Sequence, residues 1–368
     1  VNEGGERSPP MNLATVLGEL RRIAPPGSID ASIGNLKHSP PGFLIEALVR
    51  AVREGRNGYS PPQGVPELRE GTAGLYSEIT GREVDPGDVL ITVGASSALL
   101  ALAVRESERG ILVPDPGFTG YYTIFEGVGR RVIPYRLREG DFQPEPESLK
   151  EAAGMGDMII VSSPNNPTST ELTPESVGLI RDLAEDEGLK VVLDEPYFSI
   201  YFRGNGYHSL YGSVPEAHVV STFGKALAVT GWRVGFMISP LARELTPYHF
   251  AFVGGPPTPP QYAIAWSLPR FEEFASELRE SLRRKRDLLM SLLEGFEYPV
   301  PVGSYFLFLR VGGDDVQAAR ELARRGLIVF PGSLFGTGGR GYIRINFSME
   351  DEEIRRAAEI LNQYGLAR

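Results

Sequence analysis

The chain of 368 residues contains no cysteine. That absence excludes disulfide scaffolds, thiolate zinc sites, iron–sulfur clusters and cysteine nucleophiles. Histidine is nearly as scarce. His38, His208, His218 and His249 are scattered, with no HExxH and no pair at ligand spacing, so no metal site is expected. No apolar run approaches the roughly 18–20 residues of a membrane span. The opening VNEGGERSPP is polar and acidic and does not read as a signal peptide. Basic residues are the minority, 37 Lys+Arg against 47 Asp+Glu, for a net charge of -10. A dedicated nucleic-acid binder would need a basic patch for the phosphates. The expectation is a cytoplasmic protein with no nucleic-acid or membrane partner. Lysine is also rare. Five occur, Lys37, Lys150, Lys190, Lys225 and Lys285, so the other 32 of the 37 basic residues are arginines.

What is present suits a large core. Apolar residues make up 42% of the chain, and its length suggests two domains. From residue 89 to 239, Val/Ile/Leu runs alternate with helical patterns. VLITV (89–93), ILVPD (111–115), RVIPYRL (131–137), MIIVSS (158–163), KVVLDE (190–195), HVVSTF (218–223) and WRVGFMIS (232–239) read as strands. Between them, TPESVGLIRDLAEDEG (173–188) has Thr173 as N-cap, Pro174 in the first turn and Gly188 as stop. The pattern predicts an α/β fold with a mostly parallel sheet flanked by helices. Beyond about residue 270 a long amphipathic helix leads into short strands and helices, which read as a smaller α+β domain. The N-terminal segment, with helix MNLATVLGELRRIA, is expected to join it. The division is therefore 42–270 for the large domain, and 1–41 with 271–368 for the small one.

Open parallel sheets bind ligands beyond the carboxyl ends of their strands. Those ends here carry Gly94-Ala95-Ser96, Asp115-Pro116, Asn165-Asn166-Pro167-Thr168, Asp194-Glu195-Pro196-Tyr197 and Thr222-Phe223-Gly224-Lys225. An amide, a carboxylate, a phenol and a lysine thus gather at one edge. No GxGxxG follows the first strand, and no GxxxxGK[ST] is present, so nucleotide-loop readings fall away. Among the lysines, Lys285 in RRKR, Lys150 in PESLK and Lys190 before a strand read as surface or remote residues. Lys225 differs: no charged residue other than itself lies between His218 and Arg233. Desolvation lowers the pKa of such an amine and suits it to Schiff-base chemistry.

FGKALAVTGWRVGF resembles the lysine segment of the class I/II aminotransferases, which have the fold-type-I pyridoxal-phosphate architecture. GYSPPQGVPELRE, ITVGASSAL, VPDPGFTGYY, SSPNNPT, VVLDEPYF and GYIRINFS resemble that family's other landmarks, in the same order, from about residue 30 to 350. The resemblance implies a homodimeric aminotransferase using pyridoxal 5′-phosphate in a ping-pong cycle between an amino acid and a 2-oxo acid. It implies Lys225 as the lysine that bonds the cofactor, and Asp194 as the partner of its pyridine nitrogen. Tyr197 and Asn166 are implied at the 3′-oxygen. Ala95, Ser96, Thr222 and Arg233 are implied at the phosphate, with Tyr59 reaching it from the neighbouring subunit. Phe118 is implied as the aromatic against the ring. Arg344 and the Gly34 N–H are implied at the substrate α-carboxylate.

Each role has a physical reading. Helix N-termini favour anions through free N–H groups and the dipole. A planar guanidinium binds two phosphate or carboxylate oxygens at once. Asn166 in PNNPT also reads as a plain turn residue, and Phe118 as a plain core residue. The pattern departs at three places. Ser169 stands where the asparagine turn usually continues with Gly. Gly224 stands where a serine often precedes the lysine. Gly34-Asn35-Leu36-Lys37 replaces an acidic turn, so Lys37, with His38, is expected to face an acidic substrate side chain. A pyridoxal-phosphate lyase, such as a carbon–sulfur lyase, would use the same residues. A cofactor-binding regulator is the third reading; only about 30 residues precede Gly34, too few for the DNA-binding domain of such proteins.

Overall fold

The computed structural model describes residues 13–366 except residues 205, 208 and 215. The segment VNEGGERSPP, the start of the first helix and His208 lie outside the described residues. The first strand, β1 (Ile29–Asp30), is short. Seven strands then build the main sheet: β2 (Val89–Thr92), β3 (Ile111–Asp115), β4 (Val132–Arg136), β5 (Met158–Ser162), β6 (Lys190–Asp194), β7 (His218–Thr222) and β8 (Gly235–Ile238). Their order is β2-β8-β7-β6-β5-β3-β4. Strands β3 to β7 pair in parallel, and β8 runs antiparallel to both β2 and β7.

The expected α/β architecture, a mostly parallel sheet between helices, is the one observed. β2, β3, β5, β7 and β8 are buried at every position. Alternate residues enter two cores, as the period of two requires. Leu90, Val113, Ile160, Val192, Val220 and Met237 face one side, with Leu102 and Phe125 from the covering helices. Ile91, Leu112, Ile159, Leu193, Val219 and Phe236 face the other. The connecting helix Pro174–Glu187 starts as expected: the Thr173 hydroxyl accepts from the Ser176 N–H, and Gly188 closes it at φ 66°.

Four further strands follow the long helix Phe271–Leu292: β9 (Phe306–Arg310), β10 (Leu327–Ile328), β11 (Phe330–Pro331) and β12 (Tyr342–Asn346). They form an antiparallel sheet β11-β12-β9, while β10 pairs in parallel with β1. The chain near residue 30 therefore sits among C-terminal elements. Lys285 departs from its sequence reading. It is only 5% exposed, and its ammonium donates to the Ser348 carbonyl at 3.2 Å. The reason is register: Leu278, Leu282, Lys285 and Leu289 share the buried stripe of the long helix.

Candidate active site

The carboxyl ends of β2, β5, β6 and β7 meet β11, β12 and the turn after β1 around a cavity of about 410 Å³. Of the residues singled out in the sequence, Gly34, Ala95, Ser96, Phe118, Asn166, Asp194, Tyr197, Thr222, Lys225, Arg233 and Arg344 line it. Tyr59 and Lys37 do not.

Lys225 lies in the short helix Phe223–Ala226, which Thr222 caps. Its Nζ donates to the Gly34 carbonyl at 2.5 Å, and the Tyr305 hydroxyl donates to the same oxygen at 2.7 Å. Burial, with the positive charges of Arg344 and Arg233, pushes the ammonium down to about 8. A lysine there reaches its neutral, nucleophilic form far more readily than a solvated one.

Asp194 ends β6. Its Oδ2 accepts from the Tyr121 hydroxyl at 2.6 Å, while its buried Oδ1 has no partner. Burial pushes this carboxyl up to about 6, against the Tyr121 hydrogen bond. An unpaired buried carboxylate oxygen is costly, and a cationic N–H donor would satisfy it. Tyr121 was not singled out in the sequence. Its signal was there, since Tyr121 and Phe125 point inward one helical turn apart.

Arg344 on β12 is 4% exposed. Nη1 donates to Asn166 Oδ1 and Nη2 to the Ser32 carbonyl, both at 2.8 Å, and Nε has no partner. Phe306, Phe330 and Phe335 surround the guanidinium at 4.0, 4.8 and 4.9 Å from their ring centres. Burial lowers its pKa to about 10. A buried cation with a free donor and no counter-ion among the described residues suits a carboxylate ligand. Asn166 uses its oxygen on Arg344, which leaves its NH₂ group as a donor. Tyr197 is buried edge-on to Tyr305 at 5.7 Å.

A second cationic corner lies at the start of helix Gly94–Glu106. Gly94 takes φ 68°, and a Cβ there would lie 2.6 Å from Arg233 Nη2. Arg233 and the first N–H groups of this helix therefore converge on the cavity. The Thr222 hydroxyl lines it too, but already donates to the Val234 carbonyl at 3.1 Å. The glycine before Lys225 has a steric reason: a Cβ on Gly224 would come 3.1 Å from Thr230 Cα and 3.2 Å from Thr222 Oγ1. Ser169 is likewise explained. It adopts φ 59°, and its hydroxyl bonds Ser304 Oγ at 2.6 Å and the Phe306 carbonyl at 2.8 Å.

Two of the residues singled out in the sequence lie outside this cavity. Lys37 does not face this cavity: its ammonium pairs with Glu353 at 3.0 Å, and its N–H donates to Ser348 Oγ. Its charge is drawn to the C-terminal helix through this ion pair. Tyr59 is 92% exposed on the surface. The Gly34 expectation was an N–H contact; what the structure shows is its carbonyl, held by Lys225 and Tyr305.

The chain matches the family model for aminotransferase class I and II over residues 27–361. It is 29% identical to the aspartate aminotransferase of Pyrococcus horikoshii, covering 81% of each chain. It is 30% identical to the aspartate/prephenate aminotransferase of Thermus thermophilus, covering 82% of this chain and 81% of that one. The aspartate aminotransferase from Thermus thermophilus with maleate superposes with a TM-score of 0.87 at 28% identity, covering 95% and 94% of the two chains. The protein belongs to the class I and II aminotransferases. It is an aminotransferase, and the lyase reading is not favoured. The family implies pyridoxal phosphate as cofactor. The residues present fit it: a depressed lysine, an orphaned carboxylate oxygen and a cationic helix start line one cavity.

Proposed function

We propose that the chain transfers amino groups in a ping-pong cycle, with pyridoxal phosphate in the cavity around Lys225. The observation that carries this is the convergence of Lys225, the unpartnered Asp194 Oδ1 and the unpartnered Arg344 Nε in one cavity. The cofactor, when bound, supplies an aldehyde for amine exchange and an electron sink for the electrons of the Cα–H bond. Lys225 Nζ holds the cofactor and, once freed, moves the Cα proton. Asp194 Oδ1 accepts the pyridine N–H, and that positive charge lowers the carboxyl pKa back toward its ionised form. Tyr197 and the Asn166 NH₂ donate to the 3′-oxygen. Phe118 packs on the ring. Arg233 and the Ala95 and Ser96 amides hold the phosphate, joined by the Thr222 hydroxyl once it turns from the Val234 carbonyl, and Arg344 pairs with the substrate α-carboxylate.

The remaining wall combines the apolar Leu17, Ile33, Phe330 and Phe335 with the uncharged Ser32, Thr119, Ser162 and Thr230. The further cation on it, Arg21, is already paired with Asp30 at 3.0 Å. A second substrate carboxylate would be buried there without a partner. The favoured amino donor therefore carries an apolar or aromatic side chain, not an acidic one.

The working unit is a cytoplasmic homodimer in which Tyr59 of one chain reaches the phosphate of the other. In support, Tyr59 is exposed, and so are Ile45, Val49 and Val52 on one face of helix Gly42–Arg53. No helix among the described residues is long and apolar enough to cross a membrane. Residues 42–270 form the cofactor domain, and 1–41 with 271–368 the smaller one.

The test is a single-turnover panel of the twenty amino acids, following cofactor absorbance and the 2-oxo acid released. Borohydride should trap the cofactor on Lys225, and Lys225→Ala should abolish the turnover. Label recovered on another lysine would overturn the assignment. A preference for aspartate over phenylalanine or leucine would overturn the donor class.

A further inference from the structure

His249 belongs to helix Ala242–Val253 and is 0% exposed. It does not line the cavity, and its hydrogen-bond partners, Val93 and Ser97, carry no assigned chemical role. Its Nε2 lies 3.3 Å from the Val93 N and 3.0 Å from Ser97 Oγ. Val93 is the residue just before helix Gly94–Glu106, and Ser97 lies in the first turn of that helix. Ser97 Oγ is also 3.2 Å from the Gly94 carbonyl, to which Thr92 Oγ1 donates at 2.9 Å. A backbone N–H can only donate, so Nε2 serves as the acceptor and the ring proton sits on Nδ1. That Nδ1 is buried without a partner. Burial pushes the imidazole down to about 4, so it stays neutral and keeps its lone pair.

An aliphatic side chain would fill this space and remove the unpartnered Nδ1, but it would leave the Val93 N–H without its acceptor. What the imidazole adds is an acceptor that fixes the chain on both sides of Gly94. The corner it fixes has little slack. A Cβ on Gly94 would crowd Arg233, and a Cβ on Gly235 would lie 2.7 Å from the Gly94 carbonyl carbon. A small tilt of the helix start would therefore turn the Ala95 and Ser96 amides away from an anion that Arg233 would hold.

We propose that His249 is a positioning residue for the phosphate site: through Val93 and Ser97 it aims the first amides of helix Gly94–Glu106 at the anion bound by Arg233. This rests on the reading of that helix start as the phosphate cradle.

The test compares pyridoxal phosphate with pyridoxal, which lacks the phosphate, on cofactor-free protein. His249→Leu should raise the Kd for pyridoxal phosphate about tenfold and leave that for pyridoxal unchanged. His249→Gln, which keeps an acceptor, should recover most of the loss. Competition by inorganic phosphate should weaken in parallel with the Leu variant. If His249→Leu does not fold, Ser97→Ala carries the same comparison. Equal losses for both ligands, or no loss for either, would overturn the proposal. Wild-type protein that binds neither ligand would instead overturn the functional reading, and this proposal with it.

Discussion

At the scale of single residues, the site works by depriving charges of their usual partners. Lys225, Asp194 and Arg344 are each held by neutral groups of the chain: a carbonyl, a phenol, and an amide with a carbonyl. Each keeps capacity for a ligand. The pH dependence follows from the lysine. Burial and the two arginines disfavour the ammonium, so its pKa falls to about 8. Only the neutral amine attacks an aldehyde, and its fraction grows as pH rises toward that value. At pH 7 roughly a tenth is neutral, given one unit below the pKa. Covalent capture of pyridoxal phosphate by cofactor-free protein should therefore quicken several-fold between pH 7 and 8 and level off above about 8.5. Stopped-flow absorbance measures it. A rate still climbing tenfold from pH 8.5 to 9.5 would mean an ordinary solvated lysine.

At the scale of elements, one carboxylate gathers several of the bonds between the main sheet and the C-terminal sheet. Asp115 ends β3 and accepts from the Thr337 N–H at 3.1 Å, the Thr337 hydroxyl at 2.6 Å and the Gly338 N–H at 2.8 Å. The Gly117 N–H adds a bond to the Phe335 carbonyl at 2.9 Å. Between them Gly336 takes φ 125°, and a Cβ there would overlap Asp115. This contact fixes Phe335 against Arg344. Asp115→Ala strands three donors, and each buried one costs roughly 1–3 kcal/mol. Stability should fall by at least about 2 kcal/mol, with Asp115→Asn recovering part. KM for the amino donor should rise more than the Kd of pyridoxal phosphate. Urea unfolding and steady-state kinetics check it. A variant within about 0.5 kcal/mol of wild type, the ordinary range for surface changes, would show that the junction is held elsewhere.

The same scale shows what the sequence made legible. Strands of the main sheet were readable because they are buried on both faces and so run unbroken in Val, Ile and Leu. Thr173 and Gly188 marked a helix because capping is local. Lys285 misled because its neighbours in the chain, Arg283, Arg284 and Arg286, are charged, while its neighbours in space are the leucines at 278, 282 and 289. Counting helical period would have placed it inward. The pairing of Lys37 was hidden for a different reason: its partner Glu353 lies 316 positions away, and no local pattern reveals such a pairing. His249 left no signal either, since its contacts at 152 and 156 positions' separation exist only once two helices pack.

At the scale of the whole molecule, two exposed apolar sets suit a second chain. Ile45, Val49 and Val52 lie along one face of helix Gly42–Arg53 at 40%, 42% and 48% exposure. Tyr248, Phe250 and Phe252 are exposed on helix Ala242–Val253. Apolar surface of this kind marks interfaces. In the proposed dimer, each cavity takes Lys225 from one chain and Tyr59 from the other. That arrangement has a consequence a single-chain site lacks. Neither Lys225→Ala nor Tyr59→Ala dimers contain an intact site. A mixed dimer of the two contains one doubly damaged site and one with both residues native. If Tyr59 served the cavity of its own chain, the mixed dimer would contain no intact site at all. Differentially tagged chains, co-expressed and purified as the mixed form, should therefore bind pyridoxal phosphate at one site per dimer with wild-type affinity. Their turnover should be about half that of wild type. Binding no tighter than in the Tyr59→Ala dimer would place Tyr59 outside the partner's site.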